Sequence, residues 1–331
     1  MPSLIFKKGL DLKREVADQL AANYHSALVA EIKARDYRYD SGRLTIHLAR
    51  EFGFCYGVDR AVDYAYQARL KFPARRVFLT GEIIHNPHVN DRLRDQGIRF
   101  LSDPDESWDA LTSDDVVILP AFGVTVEDLV RLDTLGCTLV DTTCGSVLNV
   151  WKNVKRYAAD GYTSIIHGKH WHEETRATAS QTVQASGGHY LVVLDSAEAD
   201  AVCTFITNAP APGSPERAAL LERFRDACSP GFDPDRHLTS IGCANQTTML
   251  STESFAIGEQ FRAAIRQRYG SAAEATHFRA FDTICSATQD RQDAVVAMLD
   301  QLHLDAMIVI GGYNSSNTCN LARICAAKVT T

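Results

Sequence analysis

Short apolar runs recur along this chain, and each is followed by a segment with helical spacing: RRVFLT, VVILPAFG, CTLVDTTC, TSIIHGKH, YLVVLDS, FRAFDTIC and DAMIVIGG. Unbroken apolar runs of this length read as strands covered on both faces, the signature of parallel sheets. Parallel neighbours need a crossover, usually a helix. The segment after Cys55 supplies one, with Val58, Ala61, Val62, Ala65 and Ala68 on one helical face. The alternation confines the chain to the α/β class with mostly parallel sheets. Ahead of it, residues 1–40 are polar and charged, with a helix expected within Lys13–Ala34 and a strand over the alternating Leu44, Ile46 and Leu48. NAPAPGSPERA, at 208–218, reads as a Pro-rich linker or insertion, and Ala306–Ile310 as a late buried strand.

A tetrapeptide repeats within this frame. DTTC ends the strand at 141–144 and DTIC ends the strand at 282–285. Cys55, in GFCYGVDRAV, also falls between a strand and a helix. Open α/β sheets place ligands at the carboxyl ends of their strands, which singles out Cys55, Cys144 and Cys285 among the nine cysteines. Three thiolates can hold a zinc with one open position, or three irons of a 4Fe–4S cube with the fourth iron open. The plainer alternative is three thiols that pack separately. The other six read as structural thiols, with Cys243 the least certain. The odd count, the chain length and the missing secretion signal argue against a disulfide framework. The absence of any CxxC pair argues against zinc ribbons, thioredoxin chemistry and bacterial ferredoxin spacing.

Composition narrows the partners. The 331 residues carry a net charge of −7, which disfavours a broadly basic nucleic-acid surface. No apolar run approaches the roughly 20 residues of a membrane span. The N-terminus, MPSLIFKKGLDLKREVADQL, is neither a secretory signal nor a transit peptide in composition. No GxGxxG dinucleotide fingerprint is present, so electrons for any redox chemistry would come from outside the chain.

Polar motifs follow several of the strands. GEIIHNPHVN supplies His85, and HGKHWHEET supplies His167, His170, His172, Glu173 and Glu174. In the His-x-Glu pair, Glu174 can deliver protons and His172 can bind an anion; the alternative is a solvated loop. In GGYNSSNT, Ser315, Ser316 and Asn317 offer donors at a helix N-terminus, a phosphate cradle by mechanism, although Gly-Asn-Ser is also ordinary loop text. NQTT, with Thr247, is a similar small-donor group.

Taken in order, GFCYGVDRAV, GEIIHNPHVN, LPAFGV, DTTC, IIHGKHWHEETRATAS, NQTTML, DTICSATQDRQ and GGYNSSNT resemble the LytB/IspH family of 4-hydroxy-3-methylbut-2-enyl diphosphate reductases, over about Tyr24–Asn320. The wording is similar to the plant and cyanobacterial branch. Phe122, where many members carry a second histidine, fits that branch. The resemblance implies three similar α/β units in a trefoil arrangement around a central 4Fe–4S cluster with one open iron. It implies Cys55, Cys144 and Cys285 as cluster ligands, Glu174 as the proton-relay acid, and His85, His172, Thr247, Ser315, Ser316 and Asn317 as substrate-binding residues. It also implies reductive dehydroxylation of an allylic alcohol diphosphate to isopentenyl and dimethylallyl diphosphate in the methylerythritol phosphate pathway, driven by ferredoxin or flavodoxin. No nucleic acid or membrane insertion is expected. The setting would be the bacterial cytoplasm, or the plastid stroma in a photosynthetic eukaryote.

On this reading the chain divides into an extension (1–43), a first unit with Cys55 (44–144), a second with Cys144 at its start and the Pro-rich insertion near 208–238 (145–280), and a third with Cys285 (281–331). Family members continue past the NSSN motif to a Gly-Ala-Ser-Thr-Pro-like loop. The third unit is therefore expected to be incomplete, and the alternative function is a non-catalytic iron–sulfur or metal-binding relative.

Overall fold

The apolar runs except the last, DAMIVIGG, form the strands they predict, and those strands pair in parallel. The computed structural model describes residues 4–184, 187–281 and 283–331, and the chain forms two compact units. The first comprises residues 1–121, 132–144 and 286–331. It contains β1 (Ile5–Phe6), the antiparallel hairpin β2 (Arg38–Asp40) and β3 (Thr45–His47), and β4 (Val77–Leu79), β5 (Ile98–Phe100), β6 (Val116–Leu119) and β7 (Thr138–Asp141). Five of these build a parallel sheet in the order β1-β7-β6-β4-β5. Val116–Leu119 is buried at every position, as a strand covered on both faces must be. The register sets Leu119 opposite Asp141, so the strand ends that carry loops 120–123 and 142–144 lie side by side.

The second unit comprises residues 122–131 and 145–285. Its sheet runs β11-β10-β8-β9, all parallel, from β8 (Thr163–His167), β9 (Tyr190–Val193), β10 (Ile241–Asn245) and β11 (Phe278–Ala280). Its core joins Ile165, Ile166, Leu191 and Val193 of the sheet to Val202, Phe205, Phe261 and Ile265 of flanking helices. Each such side chain contributes about 1.5–3 kcal/mol when fully buried. One close approach fixes a residue: a Cβ on Gly242 would stand 2.6 Å from the ring of Tyr157, whose hydroxyl donates to Cys243 O at 3.0 Å. Only glycine fits beneath that ring.

Lys13–Ala34, expected to be helical in part, forms two helices, Lys13–Tyr24 and Ala27–Ala34, with Ser26 accepting from Val29 N and capping the second. The buried strand expected at Ala306–Ile310 is neither strand nor buried: Ile308 is 83% and Ile310 91% exposed. A parallel strand is held by hydrogen bonds on its flanks. Among the described residues this segment has only the isolated Ala306–Thr330 bridge and Met307 N donating to Thr330 O.

Candidate functional site

At both copies of the tetrapeptide the threonine and cysteine bond the end of a neighbouring strand and the loop after it. At DTTC, Thr142 Oγ1 donates to Leu119 O at the end of the neighbouring strand, 2.6 Å away, and Cys144 N donates to Ala121 O at 3.0 Å. At DTIC, Thr283 Oγ1 bonds Asn245 Oδ1 at 2.5 Å and accepts from Asn245 N at 2.9 Å, while Cys285 N donates to Thr247 O at 3.2 Å. In each case threonine grips the end of the adjacent strand, and the cysteine amide grips the residue two positions further on. Asp141 Oδ1 accepts from Thr143 N at 3.0 Å and closes the first turn; Asp282 lies outside the described residues. Arg60 tightens this turn by donating to Thr142 O and Thr143 O.

In the first unit the turn brings two thiols together. Cys55 caps the helix Tyr56–Lys71, and its Sγ accepts from Val58 N at 3.4 Å. A Cβ on Gly57 would stand 2.6 Å from Cys144 Sγ and 3.8 Å from Cys55 Sγ. Both sulfurs therefore converge on the first turn of one helix. Cys144 and Cys285 each directly precede a helix, Gly145–Ala159 and Ser286–Gln301. This donor set suits a thiolate-held metal or iron–sulfur centre. The remaining thiols differ in setting: desolvation raises Cys137, Cys228, Cys243 and Cys325, and pushes Cys203 up to about 12.

The first unit also brings together parts of the GEIIHNPHVN and GGYNSSNT motifs. The loop after β4 carries Glu82 and His85, and His85 Nδ1 lies 2.7 Å from Glu82 Oε2. Asn314, in the loop before the helix Ser316–Ala326, donates to the same Glu82 oxygen at 2.8 Å. Ser315 caps that helix, accepting from Thr318 N at 3.3 Å, and Ser316 is buried. Asn317 Oδ1 is buried and makes no hydrogen bond among the described residues. Rotating that amide would present Nδ2 as a donor instead. Hydroxyls, amides and helix N–H groups thus gather as an anion cradle requires.

In the second unit β8 and β10 are neighbours, with His167 opposite Asn245, so the loops after them meet. His172 caps the helix Glu173–Val183, its Nδ1 accepting from Glu174 N at 3.1 Å. The neutral ring therefore carries its proton on Nε2. Glu174 is 1% exposed. Its Oε1 accepts from Thr247 N at 2.6 Å and its Oε2 from Thr247 Oγ1 at 3.0 Å. Phe122 packs edge-on against His172, ring centroids 5.4 Å apart. The other members of the His-rich loop go elsewhere: His167 bonds Ser254, and His170 stands edge-to-face on Trp171.

Several contributors escaped the sequence reading. Gln246 accepts from Lys169 N and Thr175 Oγ1 and binds the two loops together. Arg60, Gly57 and Glu82 have the roles described above. Only Glu82 carried a signal, standing three residues before His85 in a motif already singled out.

Parallel sheets in each unit, cysteines that directly precede helices, and a buried carboxylate bonded across neighbouring loops define an α/β enzyme. The family profile described as LytB protein matches residues 46–331, and the chain belongs to that family. The 4-hydroxy-3-methylbut-2-enyl diphosphate reductase of Parasynechococcus marenigrum is 48% identical over 324 residues, covering 97% of this chain and 78% of the relative. That of Gloeobacter violaceus is 48% identical over 330 residues, covering 98% and 76%. A solved structure of (E)-4-hydroxy-3-methyl-but-2-enyl diphosphate reductase, the terminal enzyme of the non-mevalonate pathway, is 26% identical with a TM-score of 0.55, covering 85% of this chain and 82% of that one. The reductase structure from Plasmodium falciparum shares the fold, with a TM-score of 0.62 at 20% identity, covering 84% and 72%. No helix among the described residues is long and apolar enough to cross a membrane.

Proposed function

We infer that this chain reduces 4-hydroxy-3-methylbut-2-enyl diphosphate to isopentenyl and dimethylallyl diphosphate, consuming two electrons and two protons and releasing water. The observation that carries the reading is the chain of bonds Glu174–Thr247–Cys285, at 2.6, 3.0 and 3.2 Å. It ties a buried acid to the residue that orients a thiol-bearing turn.

We assign a 4Fe–4S cluster to Cys55, Cys144 and Cys285, supported by the family likeness, the similar anchoring of the Cys144 and Cys285 amides, and the sulfurs of Cys55 and Cys144 converging on Gly57. When bound, such a cluster supplies electrons and the Lewis acidity that makes hydroxide a tolerable leaving group. The protein's own residues do the rest. His85, His172, Ser315, Ser316 and Asn317 hold the diphosphate and fix the carbon chain. The Thr247 hydroxyl, hydrogen-bonded to Glu174, lies on the route by which a proton reaches the departing oxygen. Burial of Glu174 keeps bulk water from competing for that proton. The electron donor is an external protein of the ferredoxin or flavodoxin kind. The corresponding setting is a bacterial cytoplasm, or the plastid stroma of a photosynthetic eukaryote.

The test is anaerobic iron–sulfur reconstitution followed by turnover of the allylic diphosphate with dithionite-reduced viologen. Formation of both C5 diphosphates is the expected result. An iron-loaded protein that leaves the substrate untouched would make the chain a non-catalytic relative.

A further inference from the structure

Glu82 has no part in the chemistry above, yet its carboxylate joins the two segments of the first unit read as diphosphate-binding. Its Oε2 lies 2.7 Å from His85 Nδ1 and accepts from Asn314 Nδ2 at 2.8 Å. The His85 side chain is 8% exposed and that of Glu82 31%. Asn314 Nδ2 also comes within 3.2 Å of His85 Nδ1, but two N–H donors cannot bond one another, so the shared carboxylate oxygen is the acceptor for both. An ionised carboxylate only accepts. His85 Nδ1 therefore carries a proton, and a further proton on the ring sits on Nε2, away from Glu82. The two segments also approach closely at Gly312, two residues before Asn314, where a Cβ would stand 2.4 Å from His85 O.

We propose that Glu82 is a positioning residue. It sets the His85 ring so that Nε2 points away from the carboxylate as a cationic donor for a diphosphate oxygen, and through Asn314 it locks the Ser315–Asn317 cradle in register with that imidazole. The proposal rests on the reading of His85 and the Ser315–Asn317 loop as diphosphate-binding. Bonds from charged groups are the strong ones, and loss of a residue that orients a ligand commonly costs roughly 10- to 100-fold. Glu82→Gln keeps the shape and can still accept one hydrogen bond, but it lacks the charge that favours the imidazolium.

The experiment measures inorganic pyrophosphate binding by calorimetry and the ¹⁵N signals of the histidine side chains, on reconstituted wild type, Glu82→Gln, Glu82→Asp and His85→Asn. The His85 signals are assigned by their loss in His85→Asn. Glu82→Gln is expected to weaken pyrophosphate about 10-fold or more, and to move the His85 Nδ1 and Nε2 signals away from the doubly protonated form. Glu82→Asp should recover part of both effects. In turnover, Glu82→Gln should raise KM more than it lowers kcat. Wild-type affinity with unchanged His85 signals in Glu82→Gln overturns the proposal, as does His85→Asn binding pyrophosphate like wild type. Wild-type protein that binds no pyrophosphate and turns over no allylic diphosphate would instead refute the reductase reading itself.

Discussion

Glu174→Gln separates chemistry from architecture at this site. Glu174 is 1% exposed and receives two hydrogen bonds from one residue, from Thr247 N at 2.6 Å and from Thr247 Oγ1 at 3.0 Å. A glutamine can place its carbonyl oxygen against Thr247 N and its amide against the hydroxyl, which rotates to accept. Both bonds survive as neutral ones. The lost charge assistance, about 1 kcal/mol per bond, is offset by the lower cost of burying an amide than a carboxylate. The net change should stay within about 1–2 kcal/mol, a shift of only a few degrees in Tm. Proton delivery has no such compensation, because an amide cannot replace the acid, and kcat should fall about 10²- to 10⁴-fold with KM nearly unchanged. The assay is viologen-driven turnover beside thermal melting and iron content of the same preparation. A fall in kcat of less than tenfold, with iron retained, would remove Glu174 from the proton route. A collapse in Tm would show that the two bonds do not survive as argued.

Further outcomes follow from single contacts. Gly57→Ala puts a methyl 2.6 Å from Cys144 Sγ and should lower iron retained per chain after reconstitution without abolishing the folded circular dichroism spectrum. Gly242→Ala drives a methyl into the Tyr157 ring at 2.6 Å and should cost about 1–3 kcal/mol or more in denaturant unfolding. His189 and His237 stack with centroids 3.6 Å apart, and desolvation lowers both from the usual 6.5, His237 also through repulsion from His189. Asp233 N donates to His237 Nδ1 at 2.8 Å, which only the unprotonated nitrogen can accept. A histidine held neutral by the fold stabilises it above its unfolded pKa, and that stability is lost as pH falls from about 6.5 through the depressed folded values. Melting temperature should therefore drop between pH 7 and pH 5, and His237→Gln should flatten that dependence.

What the sequence made legible was whatever depends on local pattern. The apolar runs at Val116–Leu119 and Thr163–His167 announced parallel strands, and the strand-to-helix position of Cys55, Cys144 and Cys285 needed only periodicity. DTTC and DTIC proved to be anchored alike because Thr142 and Thr283 perform the same task on a neighbouring strand end. That task is a contact across the sheet, which the tetrapeptide hints at but cannot display. Ala306–Ile310 misled for the same reason: its composition suits a buried strand, but strands exist only with partners, and among the described residues Thr330 alone pairs with it. Glu82, Gln246 and Arg60 act through residues 71 to 232 positions away. Gly57 acts by what it lacks, a Cβ that would collide with Cys144. Neither kind of role leaves a periodic trace.

The central claim, that three thiolates hold an iron–sulfur centre competent for reductive dehydroxylation, is tested most directly by iron and acid-labile sulfide analysis of anaerobically reconstituted wild type against Cys55→Ser, Cys144→Ser and Cys285→Ser. The account predicts about four irons and four sulfides per wild-type chain, a sharp loss in each variant, and substrate consumption only where the cluster is retained. Full iron and sulfide content in all three variants, or one zinc and no iron in the wild type, would contradict it.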